Sequence, residues 1–412
     1  MNKSPRLVAL ETLYSIFYDG SYSNIALDKA LSDIKENKAF ISALVYGVTE
    51  RKITLDYFID KYAQGRIKPK VRIVLWLGSY QLLFMDKVPS SASINESVKL
   101  VKEIKQDYYS KLVNAVLHKI DNDRQIPDDL SVKYSVPENL INMWKKQYGE
   151  DVLNEFLPCI NDKPPLFAIP NKKFVNSDEL LYELECDGIL GEAYDEFVLI
   201  ENANDLTDSK AFKNGLFYIE DLSSFNCANA LDALSDDLVL DMCSAPGGKA
   251  FTISQSMNNS GKIYCYDLHE HRLNLIKNGA KRLSIDNIYT DVNDATVYNE
   301  NIPKADKILC DVPCSGFGII RRKPEIRYKE LDSVKDLPQI QHKILETSSR
   351  YLKDGGRIIY STCTLNKKEN ENVVNKFLKD HSGYKLLKDK TVFPSTVGGD
   401  GFYYAIMVKN EN

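Results

Sequence analysis

Two cysteines and an aspartate follow strand-like runs in the C-terminal half of the chain. Asp311 and Cys314 stand in one Asp-Val-Pro-Cys turn, and Cys363 follows Ser361-Thr362. A cysteine thiolate can add to carbon 6 of a pyrimidine, and the addition makes carbon 5 nucleophilic enough to accept a methyl group. An acid beside the thiolate can support that addition at N3. These residues predict methylation of a pyrimidine at carbon 5 with Asp311 at N3, and the spacing leaves open which thiol attacks.

A single cysteine after a strand is more often an inert, buried side chain than a nucleophile. Here, however, two cysteines and an acid are predicted at the carboxyl ends of parallel strands, which meet at one edge of a doubly wound sheet. One covalent mechanism uses all three side chains. The combination therefore favours catalysis over simple burial.

A loop of small residues after another strand-like run predicts a nucleotide-binding site. The run 238–241 leads into Cys-Ser-Ala-Pro-Gly-Gly-Lys at 243–249, and a helix follows. Gly247 and Gly248 allow the backbone to approach a ligand at the start of that helix. The spacing matches neither a P-loop nor a full G-x-G-x-x-G, so the ligand need not carry a phosphate.

Three aspartates at or after strand ends complete the predicted cofactor pocket. Asp267 lies 19 residues after Gly248, where a carboxylate can accept hydrogen bonds from ribose hydroxyls; the competing interpretation is a cap of the next helix. We expect Asp294 and Asp311, after the next two strands, near the base and the reacting centre. The predicted cofactor-binding residues are Cys243, Ser244, Ala245, Pro246, Gly247, Gly248, Lys249, Asp267, Asp294 and Asp311.

A basic run follows Cys314, after two glycines that flank Phe317. Cations in this position predict contacts with an RNA backbone, and the aromatic ring could stack on a base turned out of its helix. The alternative is a charged surface that only faces solvent. The predicted RNA-contact residues are Arg321, Arg322, Lys323 and Arg327.

The C-terminal half alternates predicted strands and helices, which is typical of an α/β domain with a parallel sheet. A last strand follows a glycine-rich segment close to the end of the chain. The predicted strands are Leu238–Met242, Ile263–Asp267, Asn287–Tyr289, Lys307–Asp311, Arg357–Thr362 and Phe402–Val408.

Residues 1–125 predict an all-α domain, because apolar residues recur at helical spacing and glycine is sparse. Ser93 to Glu96 has the pattern of a capping box at a helix start. This block holds 19 Lys and Arg against 14 Asp and Glu in a chain of net charge -5, which suggests a module that meets a polyanion. The segment 66–72 is a candidate phosphate contact, with a solvated turn as the alternative.

Length and composition indicate a cytoplasmic protein with more than one domain. The 412 residues exceed one ordinary core, and 43% hydrophobic with 27% charged residues is typical of globular proteins. We find neither a signal peptide nor an apolar run long enough to span a bilayer. No cysteine has the C-x-x-C spacing of a zinc site, so we expect no metal.

Three motifs resemble those of RNA 5-methylcytosine methyltransferases of the Nol/Nop/Sun group. They are Asp-Met-Cys-Ser-Ala-Pro-Gly-Gly-Lys at 241–249, Asp-Val-Pro-Cys-Ser-Gly at 311–316 and Ser-Thr-Cys-Thr at 361–364. The N-terminal block resembles the NusB-like domain of the 16S rRNA methyltransferase B (RsmB, Sun or Fmu) branch. The similarity extends over nearly the whole chain.

The resemblance implies an α/β fold, the class I methyltransferase sheet with a reversed last strand, and S-adenosylmethionine as cofactor. It implies a NusB-like RNA-binding domain at 1–125, a helical linker at 126–160, a substrate-contact subdomain at 161–235 and the methyltransferase domain at 236–412. In such enzymes the thiol equivalent to Cys363 is the nucleophile, and the thiol equivalent to Cys314 assists product release. Glu220 departs from the family, in which glutamine is common at this place.

The activity that the resemblance implies is methylation of a cytosine in 16S rRNA. We expect a monomer that acts on 16S rRNA, free or in an early assembly particle, without a membrane. One alternative is a 5-methylcytosine methyltransferase for tRNA or for another rRNA site. The other is a non-catalytic RNA-binding or ribosome assembly factor, against which the intact Asp311, Cys314 and Cys363 argue.

Overall fold

The computed structural model describes residues 3–202, 206–395 and 398–411. The chain folds as two compact units, of which the first comprises residues 1–161 and 320–331 and the second comprises 162–319 and 332–412. Residues 126–160, predicted as a linker, belong to the first unit. Among the described residues, no helix combines the length and the apolar character needed to cross a membrane.

The first unit is helical, as predicted, and its core surrounds one apolar helix, α4. This helix begins at Pro69 and packs against α1, α3, α5 and α6. The α3 backbone approaches it closely at Gly47, since a Cβ there would lie 1.9 Å from Cζ of Tyr80. The helices are α1 Pro5–Tyr18, α2 Ser23–Leu31, α3 Lys38–Tyr62, α4 Pro69–Phe84, α5 Ser90–Glu103, α6 Ser110–Asn122, α7 Leu130–Tyr134, α8 Glu138–Tyr148 and α9 Glu150–Phe156.

The capping box predicted at Ser93 is wrong. Helix α5 begins three residues earlier, and Ser93 is buried inside it. Its hydroxyl donates a 3.1 Å hydrogen bond to the carbonyl of Gly78 in α4. Packing against α4 therefore explains this serine better than capping does.

The second unit begins with a small antiparallel sheet in the order β2-β3-β1-β4. Its strands have only three to five residues and were not predicted, because such short strands do not show a clear alternating pattern. The elements are β1 Leu166–Pro170, α10 Ser177–Cys186, β2 Gly191–Ala193, β3 Val198–Ile200, α11 Lys210–Lys213, β4 Phe217–Ile219 and α12 Leu222–Asn229.

A seven-stranded sheet forms the centre of the second unit, and all six predicted strands are present in it. The elements are β5 Leu238–Asp241, α13 Gly248–Ser256, β6 Lys262–Asp267, α14 Glu270–Arg282, β7 Ile288–Val292, β8 Ala305–Asp311, α15 Leu337–Ser349, β9 Leu352–Thr362, α16 Glu371–Asp380, β10 Tyr384–Val392 and β11 Phe402–Lys409. The strand order is β10-β11-β9-β8-β5-β6-β7.

Five neighbouring strands, in the sheet order β7-β6-β5-β8-β9, pair in parallel. By contrast, β11 runs antiparallel to both β9 and β10. The reversed strand β11 confirms the predicted topology. The edge strand β10 was not predicted, because it carries several exposed charged side chains instead of an apolar face. Such charges are common on edge strands, where they discourage pairing with other chains.

Candidate active site

The loop after β5 lies where the sheet order reverses, with β6 on one side of β5 and β8 on the other. Such switch points hold ligands in doubly wound sheets. Gly247 precedes α13 with φ of +111°, a conformation that favours glycine. A Cβ at this position would lie 2.9 Å from Cζ of Phe251. The glycine therefore allows the loop to turn tightly into the helix.

A cavity of about 380 Å³ opens beside this loop, which is within the size range of small-molecule sites. The lining residues Glu220, Asp221 and Ser224 come from the segment around β4 and the start of α12. Of the ten predicted cofactor residues, seven line the cavity: Cys243, Ser244, Ala245, Pro246, Gly248, Lys249 and Asp311.

The cavity contains buried polar atoms suited to a polar ligand. Both carboxyl oxygens of Asp241 and the hydroxyl of Ser244 are buried without a hydrogen-bond partner. Burial raises the pKa of Asp241 to about 7. Because an unpaired buried polar atom is costly, these atoms fit a ligand that supplies hydrogen-bond donors, such as amino or hydroxyl groups. Asp241 was not among the predicted cofactor-binding residues, although an acid at the end of β5 was an available signal.

Asp267 and Asp294 do not line this cavity. Asp267 is buried, accepts a hydrogen bond from the backbone of His269 at 3.1 Å and lies 3.0 Å from the guanidinium of Arg272. Arg272 also donates a hydrogen bond to the carbonyl of Ala245, so the ion pair with Asp267 holds the loop 243–249 in place. Exposed Asp294 accepts from the backbone of Thr296. Ribose and base contacts for these two acids stay predictions.

Lys249 forms an ion pair with Asp311 inside the site. Its Nζ lies 2.8 Å from Oδ2 of Asp311, and the hydroxyl of Ser361 donates to the other carboxyl oxygen at 2.8 Å. Burial acts to lower the pKa of Lys249, but the negative charges of Asp311 and Glu220 outweigh it and raise this pKa overall. The ammonium therefore keeps its proton and holds the Asp311 carboxyl in place.

Glu220 is a further buried acid beside this pair. Its carboxyl accepts a hydrogen bond of 2.5 Å from the hydroxyl of Thr252, and Thr252 also bonds to the hydroxyl of Tyr218. Burial raises the pKa of Glu220 to about 7. The sequence marked this residue as a departure from the family without predicting its place in the cavity wall.

The two predicted catalytic thiols lie together. Cys314 follows β8 and Cys363 follows the parallel neighbour β9, and their sulfur atoms are 3.3 Å apart. The hydrogen bond to Cys363, together with burial, raises the pKa of Cys314 well above its ordinary value. Either sulfur can donate the hydrogen bond that joins the two thiols. Both cysteines remain partly exposed, so a substrate can reach them.

The structure does not support an RNA contact for Arg327. This side chain is fully buried in the first unit, where Nη1 donates to the carbonyls of Glu50 and Ser135 and to the side chain of Asn161. The Arg327 guanidinium therefore holds helical segments of that unit together through these hydrogen bonds. Arg321 is also buried, at 4% exposure, whereas Arg322 and Lys323 are partly exposed and stay predicted RNA contacts.

Comparison with known proteins agrees with this architecture. Residues 228–408 match the family described as 16S rRNA methyltransferase RsmB/F, and residues 3–122 match the NusB family. The chain is 33% identical to the probable ribosomal RNA small subunit methyltransferase B of Bacillus subtilis (strain 168), over 98% of this chain and 99% of that protein. It is 28% identical to the ribosomal RNA small subunit methyltransferase B of Photorhabdus laumondii, over 98% of each.

Solved structures show the same fold. The crystal structure of PH0851 matches 99% of this chain and 100% of its own, with a TM-score of 0.82 and 27% sequence identity. The structure of NSun6 from Pyrococcus horikoshii with SFG matches 67% of this chain and 99% of its own, with a TM-score of 0.60 and 21% identity. The predicted fold class, an α/β methyltransferase domain after an all-α NusB-like domain, is confirmed.

We predict that Glu220→Gln makes the stability of the second unit less dependent on pH. The folded state holds the Glu220 proton up to a pH of about 7, whereas the unfolded chain releases it near the ordinary value of 4.5. Stability therefore falls as pH rises through this window, and the substitution should remove about 1–3 kcal/mol of that fall.

Calorimetric unfolding between pH 4.5 and 8 measures the effect. Tryptophan fluorescence identifies the transition of the first unit, because Trp76 and Trp144 both lie there and the chain has two tryptophans. Glu183→Gln, at an exposed glutamate of α10, is the matched control. An unchanged pH dependence in Glu220→Gln would contradict the prediction.

Proposed function

We propose that this chain, which belongs to the 16S rRNA methyltransferase RsmB/F family, methylates carbon 5 of one cytosine in 16S rRNA through a covalent cysteine adduct. The single observation that carries the proposal is the pair of thiols 3.3 Å apart at the ends of β8 and β9. In the turn that ends with Cys314, Asp311 is held by Lys249 and Ser361. One cytosine ring could meet all of these groups.

S-adenosylmethionine is the cofactor, and it supplies the methyl group when bound. The cavity beside the glycine loop would hold it, since the unpaired oxygens of Asp241 and the hydroxyl of Ser244 can accept from its amino and hydroxyl groups. Gly248 keeps the wall open on one side, because a Cβ there would lie 3.0 Å from the carboxyl of Glu220.

Cys363 begins the reaction in this mechanism. Its thiolate adds to carbon 6, the sulfur–carbon bond forms, and the electrons of the C5–C6 double bond move towards N3. N3 takes up a proton from solvent, and the Asp311 carboxylate, held by Lys249, accepts a hydrogen bond from it, so the electrons that arrive leave N3 neutral. Carbon 5 then accepts the methyl group. The arrangement lowers the barrier because it turns a poor carbon nucleophile into an enamine-like one.

Cys314 completes the reaction. After methyl transfer a base removes the proton from carbon 5, the double bond forms again, and the bond between sulfur and carbon 6 breaks. The raised pKa of Cys314 means that this thiol carries a proton at neutral pH. It lies close enough to the Cys363 sulfur to assist its departure. The assignment of Cys363 as nucleophile follows the resemblance of its Thr-Cys turn to that of the RNA 5-methylcytosine methyltransferases.

Substitution of each cysteine should separate the two roles. Cys363→Ala should abolish methylation without weakening S-adenosylmethionine binding, because the cavity does not include this residue. Cys314→Ala should accumulate a covalent enzyme–RNA adduct, visible as a slow band on a denaturing gel. Cys186→Ala, at an exposed cysteine of α10, should behave as the unmodified enzyme. An adduct in Cys363→Ala and none in Cys314→Ala would exchange the roles.

The substrate assignment is tested by bisulfite sequencing of RNA from a strain that lacks the gene. We expect loss of one 5-methylcytosine in 16S rRNA, its return with the unmodified gene and no return with Cys363→Ala. Loss of a 5-methylcytosine in tRNA or in another rRNA, with 16S rRNA unchanged, would overturn the 16S assignment.

A further inference from the structure

Glu369 is a fully buried acid that the covalent mechanism does not use. It lies between β9 and α16, six residues after Cys363. Oε1 accepts hydrogen bonds from the hydroxyl of Ser315 at 2.6 Å and from the amide of Asn366 at 2.8 Å. Oε2 accepts from the backbone of Ser315 at 2.8 Å and from the amide of Gln341 at 3.0 Å. All four donors are neutral.

These donors adjoin both catalytic thiols. Ser315 follows Cys314 directly, and Asn366 lies in the turn that contains Cys363. A second link joins the same turns, because the hydroxyls of Ser315 and Thr364 are 2.6 Å apart. The Glu369 carboxyl therefore joins the turn after β8 to the turn after β9 at the place where each carries its cysteine.

The network also holds the other side of Cys314. Gln341 in α15 donates both to Glu369 and to the carbonyl of Pro313 at 2.9 Å. Pro313, before Cys314, is thus linked to the Glu369 carboxyl through Gln341, and Ser315, after Cys314, bonds to that carboxyl directly. Glu369 is itself anchored, since its backbone carbonyl accepts a 2.5 Å hydrogen bond from the hydroxyl of Tyr360 in β9.

Burial of an acid among neutral groups costs free energy, and the four hydrogen bonds to Glu369 act against that cost. An apolar side chain could fill this space at lower cost, but it could not bond to two turns at once. Catalysis needs the reacting groups at separations that tolerate little error, since a shift of about 1 Å can cost about a hundredfold in rate. The thiol pair, 3.3 Å apart, is such a case.

We propose that Glu369 is a positioning residue that sets the separation of Cys314 and Cys363 and so controls attack and release at carbon 6. The proposal rests on the proposed function for its effect on turnover, but its geometric part can be measured without RNA. Glu369 touches neither the substrate nor the cofactor cavity, and it acts through the two cysteine turns.

The test uses Glu369→Gln in the full chain. The glutamine amide keeps the size of the side chain, but its NH2 group replaces one of the two accepting oxygens. This NH2 group would face hydrogen-bond donors that it cannot accept from, so the two turns should separate. Cross-linking of Cys314 to Cys363 by diamide measures this separation directly, because the reagent takes up two electrons and two protons as the thiols join in a disulfide. We expect cross-linking to slow by about fivefold or more, because the sulfur atoms meet less often.

Turnover on 16S rRNA should fall by about tenfold or more in kcat, with KM for RNA within about twofold. The affinity for S-adenosylmethionine, measured by calorimetry, should also stay within about twofold, since Glu369 lies outside the cavity. Glu371→Gln, at the partly buried first residue of α16, is the matched control. It should leave the cross-linking rate, kcat, KM and the cofactor affinity unchanged.

Ser315→Ala provides an independent variant if Glu369→Gln does not fold. It removes the hydroxyl bonds to Glu369 and Thr364 while the backbone bond remains, so its cross-linking and kcat should fall less. Cross-linking and kcat equal to those of the unmodified enzyme in the folded variant would overturn the positioning role, as would an equal loss of cofactor affinity. If the unmodified enzyme does not methylate RNA, the proposed function fails, and cross-linking alone still decides the role of Glu369.

Discussion

The parallel pairing of β8 with β9 is the constraint on which the site depends. In this register Asp311 lies opposite Ser361, and their side chains are joined by a hydrogen bond of 2.8 Å. The chain continues from these partners into two short turns, which bring Cys314 and Cys363 to adjacent positions. A slip of one residue would turn every side chain of the strand to the other face of the sheet. The register therefore determines whether acid and thiols can act on one ring.

Buried acids surround the ammonium of Lys249 in the cavity wall. Lys249 is paired with Asp311 and interacts electrostatically with Glu220, and Asp241 is buried in the wall of the same cavity. Buried acids are costly for folding, because burial favours the neutral form of a carboxyl group. Burial raises the pKa values of both Glu220 and Asp241 to about 7, which shows that ionisation of these two acids is disfavoured inside the protein. Acids with raised pKa values cluster at sites that bind or react, which fits their place in the cavity wall.

Local sequence signals predicted the central sheet and the motif loops, because long buried strands and small-residue loops are recognisable within a short window. The same signals misplaced Arg327. Its position after Cys314 suggested RNA contact, whereas the segment 320–331 returns to the first unit and buries it. Glu369 had no local signal either, because its partner Ser315 lies 54 residues away in the chain. Contacts between distant segments therefore account for most of what the sequence did not reveal.

We propose different roles on one cytosine for two adjacent thiols, Cys314 and Cys363. The most direct test is mass spectrometry of the unmodified enzyme after reaction with 16S rRNA that contains 5-fluorocytidine, from which the group at carbon 5 cannot leave as a proton. Peptide mapping of the trapped product should find the RNA on the peptide that contains Cys363, with Cys314 unmodified. RNA attached to Cys314 would contradict the account.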